Sequence, residues 1–241
     1  MSIFRNVVFL AALAGLIAGV FMSAVQTFAT VPLILQAETY EQAEEAAPAG
    51  DATAAAHDHD HGDEAWMPAD GAERTFYTIA ANVVTGIGFG LLLVAVSEFA
   101  GGISGWREGL GWGFAGFTVF TLAPGLGLPP ELPGMPAAEL APRQLWWIAT
   151  VALTAAGLWL IFLRRTAALA ALGVALIVVP HLIGAPQPAS HETDVPAGLH
   201  HSFVVAVTVS NLLFWLALGV AVGWLRPRFF GSTTSRQSVP A

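Results

Sequence analysis

The chain has 241 residues, of which 55% are hydrophobic and 11% charged, with no lysine, no cysteine and a formal net charge of −8. So apolar a composition excludes an ordinary soluble domain, and an acidic balance without a basic stripe excludes a nucleic-acid binder. The absence of cysteine excludes disulfides and thiolate ligands, so any metal site is built from nitrogen and oxygen, which argues against Cu(I) and suits Co, Ni, Zn or Mn.

The remaining class is an all-α polytopic integral membrane protein, a single membrane domain over residues 1–241. Six apolar blocks stand out, from Val7 to Phe28, Phe76 to Phe99, Leu110 to Ala123, Leu145 to Phe162, Thr166 to Ala185 and Ser202 to Leu225. A helix needs roughly 20 apolar residues to cross a hydrocarbon core of about 30 Å, and most blocks reach that length. In the first block Gly15 and Gly19 are spaced as GxxxG, and Ser23 and Gln26 continue that face, which predicts close packing on another helix. Pro32 then bends the exit into Gln36-Ala37-Glu38-Thr39-Tyr40-Glu41, where Glu38 is a candidate metal ligand.

Residues 36–75 read as a mobile acidic outer loop, because Ala, acid, His and Pro cannot bury a core there. At its centre His57, His59 and His61 alternate with Asp58 and Asp60, so an extended backbone presents two files of candidate metal ligands. The pattern indicates divalent-cation affinity without choosing a metal, and its bland alternative is an acidic solvating linker. The second block repeats the packing pattern with Asn82, Gly86 and Gly90 on one face. Glu98, at its inner end, either reaches the interface or lines an exit for a cation. The third block is the weakest, loosened by Gly111, Gly113, Gly116 and Pro124, and admits a re-entrant reading.

Residues 124–142 form a Pro/Gly-rich segment too apolar for a solvated loop, expected to fold back over the helix ends as a stiff outer cap. Glu131 is the one charge within Ala123 to Pro136, bracketed by prolines. Trp146 and Trp147 then mark the water interface at the head of the fourth block. At the end of the fifth, Pro180 withholds an N–H from the carbonyl of Leu176, placing a bare oxygen near the imidazole of His181. That pair would hold a divalent cation, or His181 simply hydrogen-bonds a neighbouring helix. His191, His200 and His201 follow in the next loop as further candidate ligands. Asn211, Trp215, Gly219 and Gly223 give the sixth block its own packing face, and residues 226–241 form a tail.

Six crossings with both termini cytoplasmic place seven of nine arginines inside, whereas a re-entrant third block reverses that bias. Fifteen of the seventeen acidic residues and six loop histidines then face outward, which makes the outer face a cation attractor.

Taken together, Gln36 to Glu41, Ala123-Pro124-Gly125-Leu126-Gly127-Leu128-Pro129-Pro130-Glu131-Leu132-Pro133-Gly134, Arg143-Gln144 and Pro180-His181-Leu182-Ile183-Gly184-Ala185-Pro186 resemble the CbtA family, predicted membrane subunits of a bacterial cobalt transporter. The resemblance spans most of the chain and implies cobalt uptake across the bacterial inner membrane, linked to cobalamin supply. It also implies a small histidine-containing membrane partner, CbtB. That family is usually described with about five spans, against the six counted here.

These features predict an inner-membrane uptake subunit for a divalent transition metal, cobalt foremost, with Co2+, Ni2+ or Zn2+ as transported ion and no tightly bound cofactor. The alternative is a non-transporting metal sensor or assembly subunit whose His/Asp loop signals occupancy. A membrane enzyme is not expected, since no HExxH pair occurs. Without lysine the chain has no GxxxxGK[ST] loop, so nucleotide-driven transport requires another subunit. The candidate metal-handling residues are His181, Glu131, His57, His59, His61, His191, His200, His201 and Glu38.

Overall fold

A computed structural model describes residues 2–46, 68, 69, 71–164 and 166–230, and every regular element among them is helical. The elements are α1 (Ser2–Ala29), α2 (Val31–Ala46), α3 (Ala72–Phe99), α4 (Trp106–Phe117), a π-helical turn (Thr118–Leu122), α5 (Ala123–Gly125), α6 (Leu140–Arg164), α7 (Ala167–Ile183) and α8 (Ala197–Phe230). Ile3–Ala29, Ala72–Phe99, Leu140–Phe162 and Ala197–Phe230 are long and apolar enough to cross a membrane, and Ala167–Ile183 is a shorter apolar helix. The architecture is that of an all-α, multi-pass membrane protein.

Glycine decides how the helices pair. In lipid there is little hydrophobic drive between helices, so association rests on backbones approaching closely where side chains are smallest. A methyl group at Gly15 would lie 2.4 Å from the Ile87 nitrogen, and one at Gly19 would lie 2.6 Å from the Asn82 carbonyl oxygen. These contacts set α1 antiparallel to α3, with the close approach that the GxxxG spacing predicts. Asn82 Nδ2 then donates to Ser23 Oγ at 3.0 Å and to Gln26 Oε1 at 2.6 Å, a cross-helix amide bond worth about 1 kcal/mol. Gly109 meets Gly219 and Gly113 meets Trp215 in the same antiparallel way between α4 and α8, and Gly157 meets Gly173 between α6 and α7. Asn211 differs from its counterparts, because its Nδ2 donates to Val207 O within its own helix.

The main core joins α1, α3, α4 and α8 through Leu10, Ala14, Ala18, Val94, Phe117, Trp215, Leu218 and Val222. The glycines that weaken the third block in the sequence are thus its docking points, and helix continues from Trp106 through Gly125. Its irregularity is confined to the π turn, where the Ala123 N–H reaches back five residues to Thr118 O. The wider turn makes room for Pro124, whose ring clashes with the carbonyl four residues earlier in a regular helix. At one end of this bundle Arg226 joins Glu98 through two hydrogen bonds of 2.6 and 2.9 Å, so Glu98 is an interhelical partner.

Several boundaries differ from the sequence reading: residues 72–75, expected in the outer loop, begin α3, and residues 124, 125 and 140–142, expected in the cap, belong to α5 and α6. Residues 36–46, expected in the outer loop, belong to helix α2, where Ala, Glu and Gln favour helix and Ala37 packs on Leu132, Val195, Leu199 and Phe203. Residues 226–230, expected in the tail, continue α8 past Pro227, and Asn6 Nδ2 caps the extension at Phe229 O, 2.7 Å away. His57, His59 and His61 lie outside the described residues, as do residues 231–241.

Candidate functional site at the capped end

At the end of the bundle opposite Arg226, the Pro/Gly-rich segment packs against the helix ends. Leu132 is 3% exposed and packs against α2 and the start of α8, and Thr193 Oγ1 donates to Gly134 O at 2.9 Å. Gly134 accepts this role with a φ of 73°, a left-handed conformation that other residues rarely adopt.

Beneath this cap lies a cavity of about 140 Å³ lined by Gly127, Leu128, Glu131, Met135, Gln187, His191, Thr193 and His200 among others. The fold therefore gathers three of the candidate residues, Glu131, His191 and His200, from segments far apart in the chain. Each is held differently. Glu131 Oε2 accepts a hydrogen bond from Arg143 Nη2 at 3.0 Å. His200 Nε2 lies 3.2 Å from the carbonyl oxygen of Pro130, and His191 is exposed at the cavity mouth. Among the described residues no three His, Asp or Glu side chains converge closely enough to hold a metal ion directly. Glu131, His191 and His200 therefore line the cavity as separate groups, not as a formed ligand set.

His181 is half-buried near the end of α7, one step removed from this cavity. Trp146, 8% exposed, stands edge-on to it with ring centroids 5.8 Å apart. The same indole donates from Nε1 to the Pro180 carbonyl at 3.2 Å and fills the space that a side chain at Gly127 would occupy. Trp146 thus touches both His181 and the Gly127 position of the cavity lining. Beyond Pro180 the helix continues three residues to Ile183 and stops at Gly184, whose φ is 88°.

The other candidates lie apart. Glu38 on α2 pairs with Arg74 at 2.5 Å, a staple between α2 and the start of α3. His201 is exposed and does not line the cavity. Sequence reasoning missed Arg143 as the partner of Glu131 and Trp146 as the platform for His181. The adjacency of Arg143 to the tryptophans, one helical turn before Trp146, was the available signal.

A family model described as "Probable cobalt transporter subunit (CbtA)" matches residues 4–226, which include the bundle, the cap and the cavity. No curated protein and no solved structure matches the chain.

Proposed function

This chain belongs to the CbtA family of probable cobalt transporter subunits, and from that premise we propose that it takes up a divalent transition metal, Co2+ foremost, across the bacterial inner membrane. The observation that carries the proposal is the capped cavity, which collects Glu131, His191 and His200 with His181 one indole away. Imidazole and carboxylate capture a divalent ion without the grip of thiolates, and a permease needs binding weak enough to release. On this reading the ion enters between cap and helices, loses water near Glu131 and His181, and passes inward.

The topology proposed is six crossings with both termini cytoplasmic. The antiparallel pairs α1 with α3, α4 with α8 and α6 with α7 support it, since each sets an odd-numbered crossing against an even-numbered one running the opposite way. Arg226, Arg228 and Glu98 then mark the inner end, and the cap marks the outer. A divalent ion entering an inside-negative cell gains about 4.6 kcal/mol per 100 mV, so membrane potential alone would drive accumulation. A small CbtB-like histidine-containing subunit is the expected partner, and cobalamin synthesis the expected consumer of the metal.

Uptake of Co2+ into proteoliposomes containing the purified chain, with Ni2+ and Zn2+ as competitors, tests the proposal. Potential-dependent accumulation that is lost in His181→Ala supports it. Metal binding without any accumulation would instead favour the sensor or assembly-subunit reading.

A further inference from the structure

The side of α1 turned away from the core carries a groove that the uptake reading does not use. Its volume is about 420 Å³, and it is lined by Phe9, Ala12, Leu13 and Leu16 of α1, Ile87 of α3 and Phe229 of α8, all of them apolar. The four α1 residues recur at helical spacing, so they form one stripe, about 10 Å long at the helical rise per residue. Phe229 is tied to α1 near one end of that stripe, because its carbonyl oxygen accepts the Asn6 Nδ2 hydrogen bond at 2.7 Å.

Extending the stripe one turn toward the N-terminus reaches Arg5, an exposed cation four residues before Phe9. Among the described residues no carboxylate pairs with it. At this end of the bundle Glu98 is bound to Arg226, and Glu108 accepts its hydrogen bonds from Ser104. A free cation at the helix end, followed by an apolar wall running into the membrane, matches the layout of an anionic phospholipid. The wall also separates a lipid chain from a docking helix. Helices associate in lipid where small residues let backbones approach. The small residues of α1 are already used, since Gly15 and Gly19 meet α3 and Ala11, Ala14 and Ala18 are fully buried. Phe9, Leu13 and Leu16 remain exposed on the groove side, and their bulk holds a second backbone off while a flexible acyl chain fits among them.

We propose that this groove binds one anionic phospholipid from the leaflet at the N-terminal end of α1, with its phosphate at Arg5 and an acyl chain along Phe9, Leu13, Leu16 and Ile87. A lipid seated there fastens α1 to the last turn of α8 beside the Asn6–Phe229 bond. Such a site goes beyond the uptake reading and does not depend on it.

Native mass spectrometry of the full-length chain in a neutral detergent, titrated with phosphatidylglycerol or with phosphatidylcholine of the same acyl chains, tests the site. One arginine near an anionic headgroup is worth roughly fivefold in affinity, so the first phosphatidylglycerol should bind the parent about fivefold more tightly than phosphatidylcholine. Arg5→Gln should bring the two lipids level. Ala12→Phe fills the groove and should remove the first binding event for both, whereas Val178→Phe, on the exposed face of α7, should bind like the parent. Photocrosslinking the parent with a phosphatidylglycerol that carries a diazirine in its acyl chain needs no variant, and adducts should concentrate on residues 9–16, Ile87 and Phe229. Equal affinity of the parent for the two lipids, parental binding by Ala12→Phe, or adducts spread evenly over the apolar helices would each overturn the site. A parent dimer that Ala12→Phe dissociates would put a second copy of the chain in the groove and likewise refute the lipid.

Discussion

The ion pair between Glu98 and Arg226 joins helices 128 residues apart, and its removal should be felt throughout the four-helix core. The Arg226 side chain is 10% exposed and Glu98 is 30% exposed, so the pair sits between the surface and buried limits. Breaking a fully buried pair costs about 3–5 kcal/mol, whereas exposed pairs contribute about 0–1 kcal/mol. An intermediate coupling of about 2 kcal/mol follows, roughly thirtyfold in the folding equilibrium. Removing the carboxylate leaves the guanidinium, among the described residues, with the Ile103 carbonyl at 3.4 Å, the Phe230 ring at 5.2 Å and the neighbouring charge of Glu108. Glu98→Gln and Arg226→Gln should therefore each destabilise, and the double variant should lose much less than the sum. Reversible unfolding in mixed micelles, followed by tryptophan fluorescence, measures the cycle. A coupling below about 0.5 kcal/mol would show that the pair behaves as an exposed one and that packing alone locks the α3–α4 turn onto α8.

His181→Ala and His181→Gln should both lose most saturated Co2+ uptake in proteoliposomes, and parental transport by His181→Gln would reduce the imidazole to a structural contact of Trp146. Deleting residues 57–61 should raise the Co2+ concentration needed for half-maximal uptake while leaving the saturated rate nearly unchanged, because a charged attractor acts on local concentration; a collapsed saturated rate would place that segment in the path. In intact cells an impermeant thiol reagent should label Thr53→Cys and spare Ser235→Cys, and the reverse pattern would invert the proposed orientation. Glu108 accepts hydrogen bonds from the Ser104 backbone N–H and hydroxyl, at 2.8 and 2.7 Å, which hold its carboxyl below the usual range. Its contribution to stability is present above the ordinary carboxylate value and is lost as pH falls through the lowered one, so Glu108→Gln should flatten the acid side of the unfolding profile.

Hydropathy, glycine spacing and arginine distribution are properties of short stretches, and they were legible in order along the chain. Gly15 with Gly19, Gly86 with Gly90, and Gly219 with Gly223 announced the packing faces because a helix repeats its geometry every turn. The form of the proline-rich segment has a similarly local cause, since proline and glycine restrict the backbone wherever they occur. Partner choice was not legible. Glu131 with Arg143, Glu38 with Arg74 and Glu98 with Arg226 each had other opposite charges available, and only the packed helices decide which distances close. The same holds for the site. His191 and His200 reach the Glu131 cavity while His201 does not, because one residue along a helix turns a side chain by about 100°, and which direction faces the cap depends on how α8 docks. The groove between Phe9, Leu16, Ile87 and Phe229 was likewise invisible in the sequence, since a concave wall exists only once α1, α3 and α8 are packed.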